Sequence, residues 1–467
     1  MDRLRDGTFQ DWADTAAGVN YCTRPVRLVG SSLTVDAITG EVLDTFASRH
    51  APLGVVYRAC GNRRADVCPS CSRTYARDTF AMIRAGLVGG KTITEAVADN
   101  PLLFVTFTAP SFGHVHGPRP KNGAKTGGRC LPRDRSKLCA HGRPIGCMKT
   151  HGEDDPVNGS PLCGDCYDWA SAVVWQWWAP ELWRRTTIAL RRALAITLGV
   201  PEKRLKTVAS LQYAKVAEYQ ARGLIHFHAL IRLDGPDGPG SPAPLDGDTL
   251  AQVLHDTAPS VTFTAPAVDA HDQPRVLAWG RQLDVRVVRD GHRTDDPHGP
   301  LAPEQVAGYL AKYATKDANS LRHPDTPRPH LKRLGGVCRD LATRARKHDR
   351  QESPYLLLAK WAHMLGFRGH FSTKSRRYSV TLGALRRARR RFQTLAAQAH
   401  GTGEPLDVRN LEERLLAEEE ETTLVVGSWT YQGTGWTRPG DEALALAAAA
   451  RAREYAQWKA EHNRKTA

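Results

Sequence analysis

Long apolar runs are missing from this chain. The longest, Ala443–Ala450, falls far short of the ~18 residues that a membrane-spanning helix requires, which excludes bilayer insertion. A secretory leader is also missing: the opening MDRLRDGTFQDW has charges where an apolar core would stand, so the chain is expected to stay in the cytoplasm. Negative charge is scarce. Lys and Arg number 65 against 49 Asp and Glu, a net charge of +16 with a pI near 9.5, and such an excess favours a polyanionic partner, nucleic acid first. Internal repeats are absent as well, so no solenoid or array is indicated. What remains is a chain of 467 residues, 41% of them hydrophobic, which is enough to fold into two or three domains at ~100 to 200 residues each.

In a reducing compartment thiolates hold metal more often than they form bridges, and the ten cysteines are spaced accordingly. Cys60, Cys68 and Cys71 form C-x7-C-x2-C, and Cys130, Cys139, Cys147, Cys163 and Cys166 follow with His141 and His151 among them. The pairs C-P-S-C and C-G-D-C each aim two thiolates at one cation, and tetrahedral zinc draws its other ligands from elsewhere in the chain. Eight cysteines would fill two all-thiolate sites; spacing leaves open how they divide and whether His141 or His151 replaces one. Isolated Cys22 and Cys338 read as buried, unliganded thiols.

Along the chain, the knuckle at Cys60 runs into a helix near 72–87, and LLFVTFTAP at 102–110 is a strand ending at Pro110. Residues 111–164 are rich in Gly, Pro, Lys and Arg with little periodicity, as expected of an insertion shaped by metal instead of a core. Five tryptophans between Tyr167 and Leu198 sit in a helical context, where core packing is their expected role. AGLVGGKT at 85–92 fits a permissive phosphate-loop pattern, but it follows a helical segment instead of a strand and reads as a helix cap. Beyond Leu321 the chain is basic and mainly helical, and Lys374, Arg376, Arg377, Arg386, Arg387, Arg389, Arg390 and Arg391 are candidates for DNA contact. An acidic helix near Glu412–Glu421 and an Ala-rich helix close it.

The richest constellation is LIHFHALIRL at 224–233. Its odd positions are all apolar and define a buried strand face, which leaves His226 and His228 together on the other. SLQYAKVAEYQ upstream reads as the partner strand across the turn Ala221-Arg222-Gly223, and that register sets Glu218 opposite His226. Two imidazoles and a carboxylate form a cation site with open positions, suited to Mn²⁺ or Mg²⁺ against a phosphate. Lys215 falls on the apolar face and breaks the pattern. A second constellation lies in PEQVAGYLAKYATKDA at 303–318, where Tyr309, Lys312, Tyr313 and Lys316 share one helix face. Lysines one turn from a tyrosine favour its phenolate and hence its use as a nucleophile.

The strand FVTFTAP, the strand IHFHALI and the helix YLAKYATK occur in the order of the three motifs of the HUH endonucleases. The chain resembles in particular the RepSA-type rolling-circle replication initiators of actinomycete plasmids and integrative elements, over most of its length. That resemblance implies an α+β fold with a central antiparallel sheet flanked by helices. It implies three regions: an N-terminal one with the Cys-rich knuckle (1–100), an endonuclease domain (101–320) with a Cys-rich insertion at about 111–200, and a basic C-terminal accessory DNA-binding region (321–467). Tyr313 would be the primary nucleophile and Tyr309 a second, with His226, His228 and Glu218 on the divalent metal. One strand of origin DNA would be nicked, leaving a 5′-phosphotyrosine link, and a host helicase would be recruited. The alternatives are a non-catalytic zinc-dependent DNA-binding regulator, or a relaxase or transposase using the same chemistry.

Overall fold

A computed structural model describes residues 2–121, 124–133, 136–288, 303–314, 328–403, 405–416 and 423–465. It is a mixed α and β structure with antiparallel sheets, in two compact units: Met82–Val380, and Met1–Ala81 together with Thr381–Ala467. This partition differs from the linear one expected from sequence. The chain's two ends pair with each other, and 328–380 packs with the central sheet.

The larger unit is built on five antiparallel strands, β1 (Leu102–Phe107), β2 (Ser210–Tyr219), β3 (Ile225–Asp234), β4 (Leu283–Val287) and β5 (Ser372–Lys374), in the order β4-β1-β3-β2-β5. Strand β3 is central because both of its faces are covered, and nearly all of its residues are buried. Its odd-numbered side chains enter the main core, where α1 (Trp169–Thr197) supplies Trp175, Trp177 and Trp183. Trp183 meets Phe107 and Phe227 edge-on at 5.7 and 6.1 Å between ring centroids. The helical tryptophans are thus core residues, and α1 stands outside the Cys-rich insertion.

Lys215, the exception to the apolar pattern, does lie on this buried face. Its ammonium sits 3.9 Å from the Phe227 ring centroid and 5.9 Å from that of Trp183, and burial pushes its pKa down to about 7. The aromatic faces offset part of the cost of desolvating it.

The turn between β2 and β3 has the expected three-residue form. Gln220 and Leu224 close it, and Gly223 adopts φ +81°, a left-handed conformation that a glycine tolerates. Gln176 of α1 clamps the turn by donating to the Gly223 carbonyl and accepting from the Ile225 amide. The segment 85–92 is the end of a helix, Pro69–Val88, followed by Gly89 and Gly90 at positive φ. A phosphate loop is ruled out there, since no strand precedes it.

In the smaller unit, Val26–Asp36 pairs with Val42–Ala47, with Val56–Arg58 and, along its whole length, with Thr423–Thr434. That last strand corrects the expectation of a mainly helical C-terminal region. Helices Phe9–Gly18, Leu382–Thr402 and Asp441–Lys465 belong to the same unit, and a buried ion pair between Arg3 and Asp441 at 2.7 Å ties its two ends together. Among the described residues no helix is long and apolar enough to cross a membrane.

Candidate active site and metal centres

The pairing of β2 with β3 sets Glu218 opposite His226 and Val216 opposite His228, and β1 sets Thr106 opposite His228 from the other side. Even-numbered side chains of β3 therefore share a face with Glu218, Thr106 and Phe104. On that face the Glu218 carboxylate reaches diagonally to His228, with Oε2 2.8 Å from Nε2. Neighbouring ligands of a six-coordinate ion with bonds of ~2.1 Å lie about 3 Å apart, so this pair is already at ligand spacing. Thr106 Oγ1 stands 3.1 Å from His228 Nδ1, and the Phe104 ring lies parallel to the imidazole at 5.9 Å. These two residues fix the ring's orientation; an outer hydrogen bond of that kind tunes a metal-binding histidine. Sequence reasoning missed them, although the alternation of FVTFTAP puts Phe104 and Thr106 on the same face.

His226 stands apart, its ring centroid 6.2 Å from that of His228. Its Nε2 is buried without a hydrogen-bond partner among the described residues. Desolvation, with His228 and Arg222 nearby, lowers its pKa to about 3, so the ring stays neutral and its nitrogen lone pair is available. An orphaned buried nitrogen beside a His–carboxylate pair fits a divalent cation; a compact three-ligand cluster is not preformed.

Helix α2 (Pro303–Ala314) covers this face. Val306, Ala307, Leu310 and Ala311 are its buried stripe, and Tyr309 presents its ring edge to His228 at 5.3 Å and to Phe104 at 5.9 Å. Tyr309 and Lys312 are exposed to solvent. Tyr313 lies one turn beyond Tyr309 on the same helix; its side chain, like Lys316, lies outside the described residues.

The cysteines gather into three groups, where sequence counting allowed two. They are Cys22, Cys60, Cys68 and Cys71; His116, Cys130, Cys147 and His151; and Cys139, His141, Cys163 and Cys166, with the ligand atoms of each group all within 4.8 Å of one another. Tetrahedral zinc with Zn–S bonds of ~2.3 Å and Zn–N bonds of ~2.1 Å holds its ligand atoms about 3.5 to 3.8 Å apart. The structure has Cys22 Sγ 3.7 Å from Cys68 Sγ, Cys147 Sγ 3.5 Å from His151 Nε2, and His141 Nδ1 3.3 and 3.9 Å from the sulfurs of Cys166 and Cys163. All three groups could hold a metal.

Two readings from spacing are corrected here. Cys22 is not an isolated thiol: the fold carries it to the knuckle, where hydrogen bonds from Cys22 and Cys71 push the Cys68 thiol down. His116 had not been singled out, yet it completes the second group. In that group the Asp155 carboxylate lies 2.7 Å from His151 Nδ1, the outer contact that orients a metal-binding imidazole. Cys338 is buried and belongs to none of these groups.

The basic candidates are dispersed in role. The Lys374 ammonium donates to the carbonyls of Ser375, Arg376 and Ser379, and burial lowers its pKa to about 8. Arg389 pairs with Asp78, and Arg391 donates to the Leu415 carbonyl. Arg376, Arg377, Arg386, Arg387 and Arg390 are exposed. Arg386, Arg389 and Arg390 line a cleft of about 930 Å³ in the smaller unit.

The family model described as "RepSA: Replication initiator protein, pSAM2" matches residues 8–450. A protein of Streptomyces ambofaciens named "Replication initiator protein" is 40% identical over 470 residues, covering 95% of this chain and 91% of that relative. No solved structure matches. With the match running through the cysteine groups, the histidine strand and the tyrosine helix alike, the chain belongs to the RepSA family of replication initiator proteins.

Proposed function

We propose that this protein initiates rolling-circle replication of a plasmid or integrative element by nicking one strand of origin DNA through a tyrosine. The observation that carries the reading is the placement of a tyrosine helix over a sheet face bearing Glu218, His226 and His228, with Tyr309 against His228. A divalent ion such as Mn²⁺ or Mg²⁺ held by these three residues would polarise the scissile phosphodiester. Glu218 and Thr106 hold His228 in place, and the neutral His226 supplies the remaining nitrogen. The tyrosine oxygen attacks phosphorus, the bond to the 3′-oxygen breaks, and that oxygen leaves as a hydroxyl after taking a proton. The 5′-phosphate is then esterified to tyrosine, so no ATP is needed and a second tyrosine or a returning 3′-hydroxyl can reverse the transfer. Tyr313 is the first nucleophile in this scheme and Tyr309 the second.

The reading is tested by incubating the protein with a 5′-tailed, labelled single strand from its origin and Mn²⁺. A covalent protein–DNA adduct that survives denaturation is expected, and it should vanish on chelation. Duplex binding without any adduct would instead favour a zinc-dependent regulator.

The three cysteine groups are inferred to hold structural Zn²⁺. Their donor atoms lie within 4.8 Å of one another in each group, and residues 111–164 have little apolar content to fold around. Metal binding in such a segment is folding free energy. Elemental analysis of folded protein is expected to give close to three zinc per chain, one for each group. His116→Ala should lower the count by one. A folded, active preparation without zinc would overturn the assignment.

A further inference from the structure

A cleft of about 860 Å³ opens beside His226. One wall is sheet and turn: residues just past β1, Arg222 of the β2–β3 turn, and Trp279–Gln282. The other comes from the Cys-rich insertion, through Val115–Arg119 and Asn158–Gly159. Among the described residues, Arg119, Arg222 and Arg281 line it and no carboxylate side chain does. Arg222 holds the shape of the wall by donating to the carbonyls of Ala109 and Pro110, while Arg281 is exposed at the cleft. Arg119 donates through Nε to the Cys130 carbonyl, which ties that charge to a metal-ligand candidate.

Two buried polar atoms without hydrogen-bond partners among the described residues belong to this lining, His226 Nε2 and Asn158 Oδ1; Asn158 is 2% exposed. A polar atom buried unpaired is costly, so these atoms point to ligands that satisfy them: the metal at His226 and the strand at Asn158. The insertion is also seated tightly on the turn that precedes His226. Gly159 has φ +83°, and a Cβ there would stand 2.2 Å from the Ala221 carbonyl carbon; its amide donates to the His116 carbonyl at 2.8 Å. Gly159 thus seats the insertion on the Ala221–Arg222 backbone and holds His116 beside the same turn.

We propose that a single DNA strand runs through this cleft into the His226–His228–Glu218 centre, with the His116/Cys130/Cys147/His151 module as its outer wall. This deepens the proposed function and rests on it for the identity of the ligand. A volume in the range that encloses one drug-sized molecule admits a short stretch of one strand and excludes a duplex. Positive lining suits the phosphates, and Asn158 offers an acceptor to an N–H of an unpaired base, such as the imino group of thymine.

Fluorescein-labelled dT20 serves as the probe, with binding followed by polarisation between 50 and 200 mM salt. Each phosphate contact to a single strand contributes about 0.7 to the logarithmic salt slope. The double variant Arg119→Ala/Arg281→Ala should bind dT20 at least tenfold more weakly and lose about 1.4 from that slope, with an unchanged circular dichroism spectrum. Unchanged affinity and slope would overturn the proposal. In the wild-type protein, dT20 carrying 4-thiothymidine should cross-link to peptides within 108–119 or 279–282, and cross-links found only elsewhere would also overturn it. Neither readout requires cleavage. A tyrosine adduct formed by a double variant that binds dT20 normally removes this inference and leaves the initiator reading; cross-links in the cleft without any adduct do the opposite.

Discussion

Replacing His226 and His228 together by alanine is expected to slow strand cleavage by about 10³-fold or more in protein that remains folded. Losing a single positioned group that stabilises developing charge costs about 10²- to 10³-fold, and this double change removes two of three donors to one cation. Glu218 would be left without the partner 2.8 Å away and could not hold a divalent ion alone. The fold should survive. His226 is only partly buried, and His228, though 4% exposed, leaves a space bordered by Phe104 and Tyr309 at the edge of the main core. Wild-type nicking by the purified double variant, with Mn²⁺ titrated, would exclude the metal assignment.

His226→Ala alone has a pH signature. His226 has a folded pKa near 3 against about 6.5 in the unfolded chain, so above pH 6.5 its ionisation does not affect stability. As pH falls from 6.5 toward 3 the unfolded chain takes up a proton that the folded one refuses, and stability drops. In metal-free protein His226→Ala should remove that part of the acid sensitivity, visible as a smaller fall in Tm between pH 7 and 5.

The histidine strand was legible from sequence because every determinant of it is local. Strict alternation from Ile225 to Leu233 fixes which face is buried, and a glycine able to take φ +81° fixes the turn, so the Glu218–His226 register follows from counting. The helix at 303–314 was legible for the same reason: its apolar stripe, Val306, Ala307, Leu310 and Ala311, is the face that became buried. Contacts between distant segments were not legible. Counting places Glu218 across from His226, yet the carboxylate contacts His228, a diagonal choice made by side-chain packing with Thr106 on a third strand.

Cys22 lies 38 residues before Cys60 with no periodic signal between them, and only the folded smaller unit carries it to the knuckle. The strand Thr423–Thr434 finds its partner at Val26–Asp36, across almost the entire chain, and TLVVGSWTYQGT carries no buried face of its own to announce it: Leu424, Val425, Val426, Trp429 and Tyr431 remain exposed. His116 illustrates the same limit in the metal groups. Spacing identifies C-x-x-C pairs because a turn brings both thiolates together, whereas the second group takes its four ligands from four separate points between 116 and 151.

Tyr313→Phe is expected to abolish the first covalent adduct, a loss of at least about 10³-fold, whereas Tyr309→Phe should still nick and release fewer closed single-stranded circles. Phenylalanine keeps the ring and removes only the attacking oxygen, so packing of α2 is retained. Charge favours that order: Lys312 precedes Tyr313 and Lys316 follows it by three residues, while Tyr309 has Lys312 alone within a turn. Cations beside a phenol favour phenolate, and each pKa unit lowered corresponds to about 1.4 kcal/mol of relative stabilisation of that nucleophile. Tyr309, with its ring against His228, would serve the second transfer in this scheme once the first tyrosine carries the strand. Resolving circles from linear products on a denaturing gel, with the adduct measured in the same reactions, distinguishes the two. An adduct retained in Tyr313→Phe and lost in Tyr309→Phe would exchange the roles of the tyrosines while leaving the two-histidine centre in place, since both hydroxyls must reach the same phosphate.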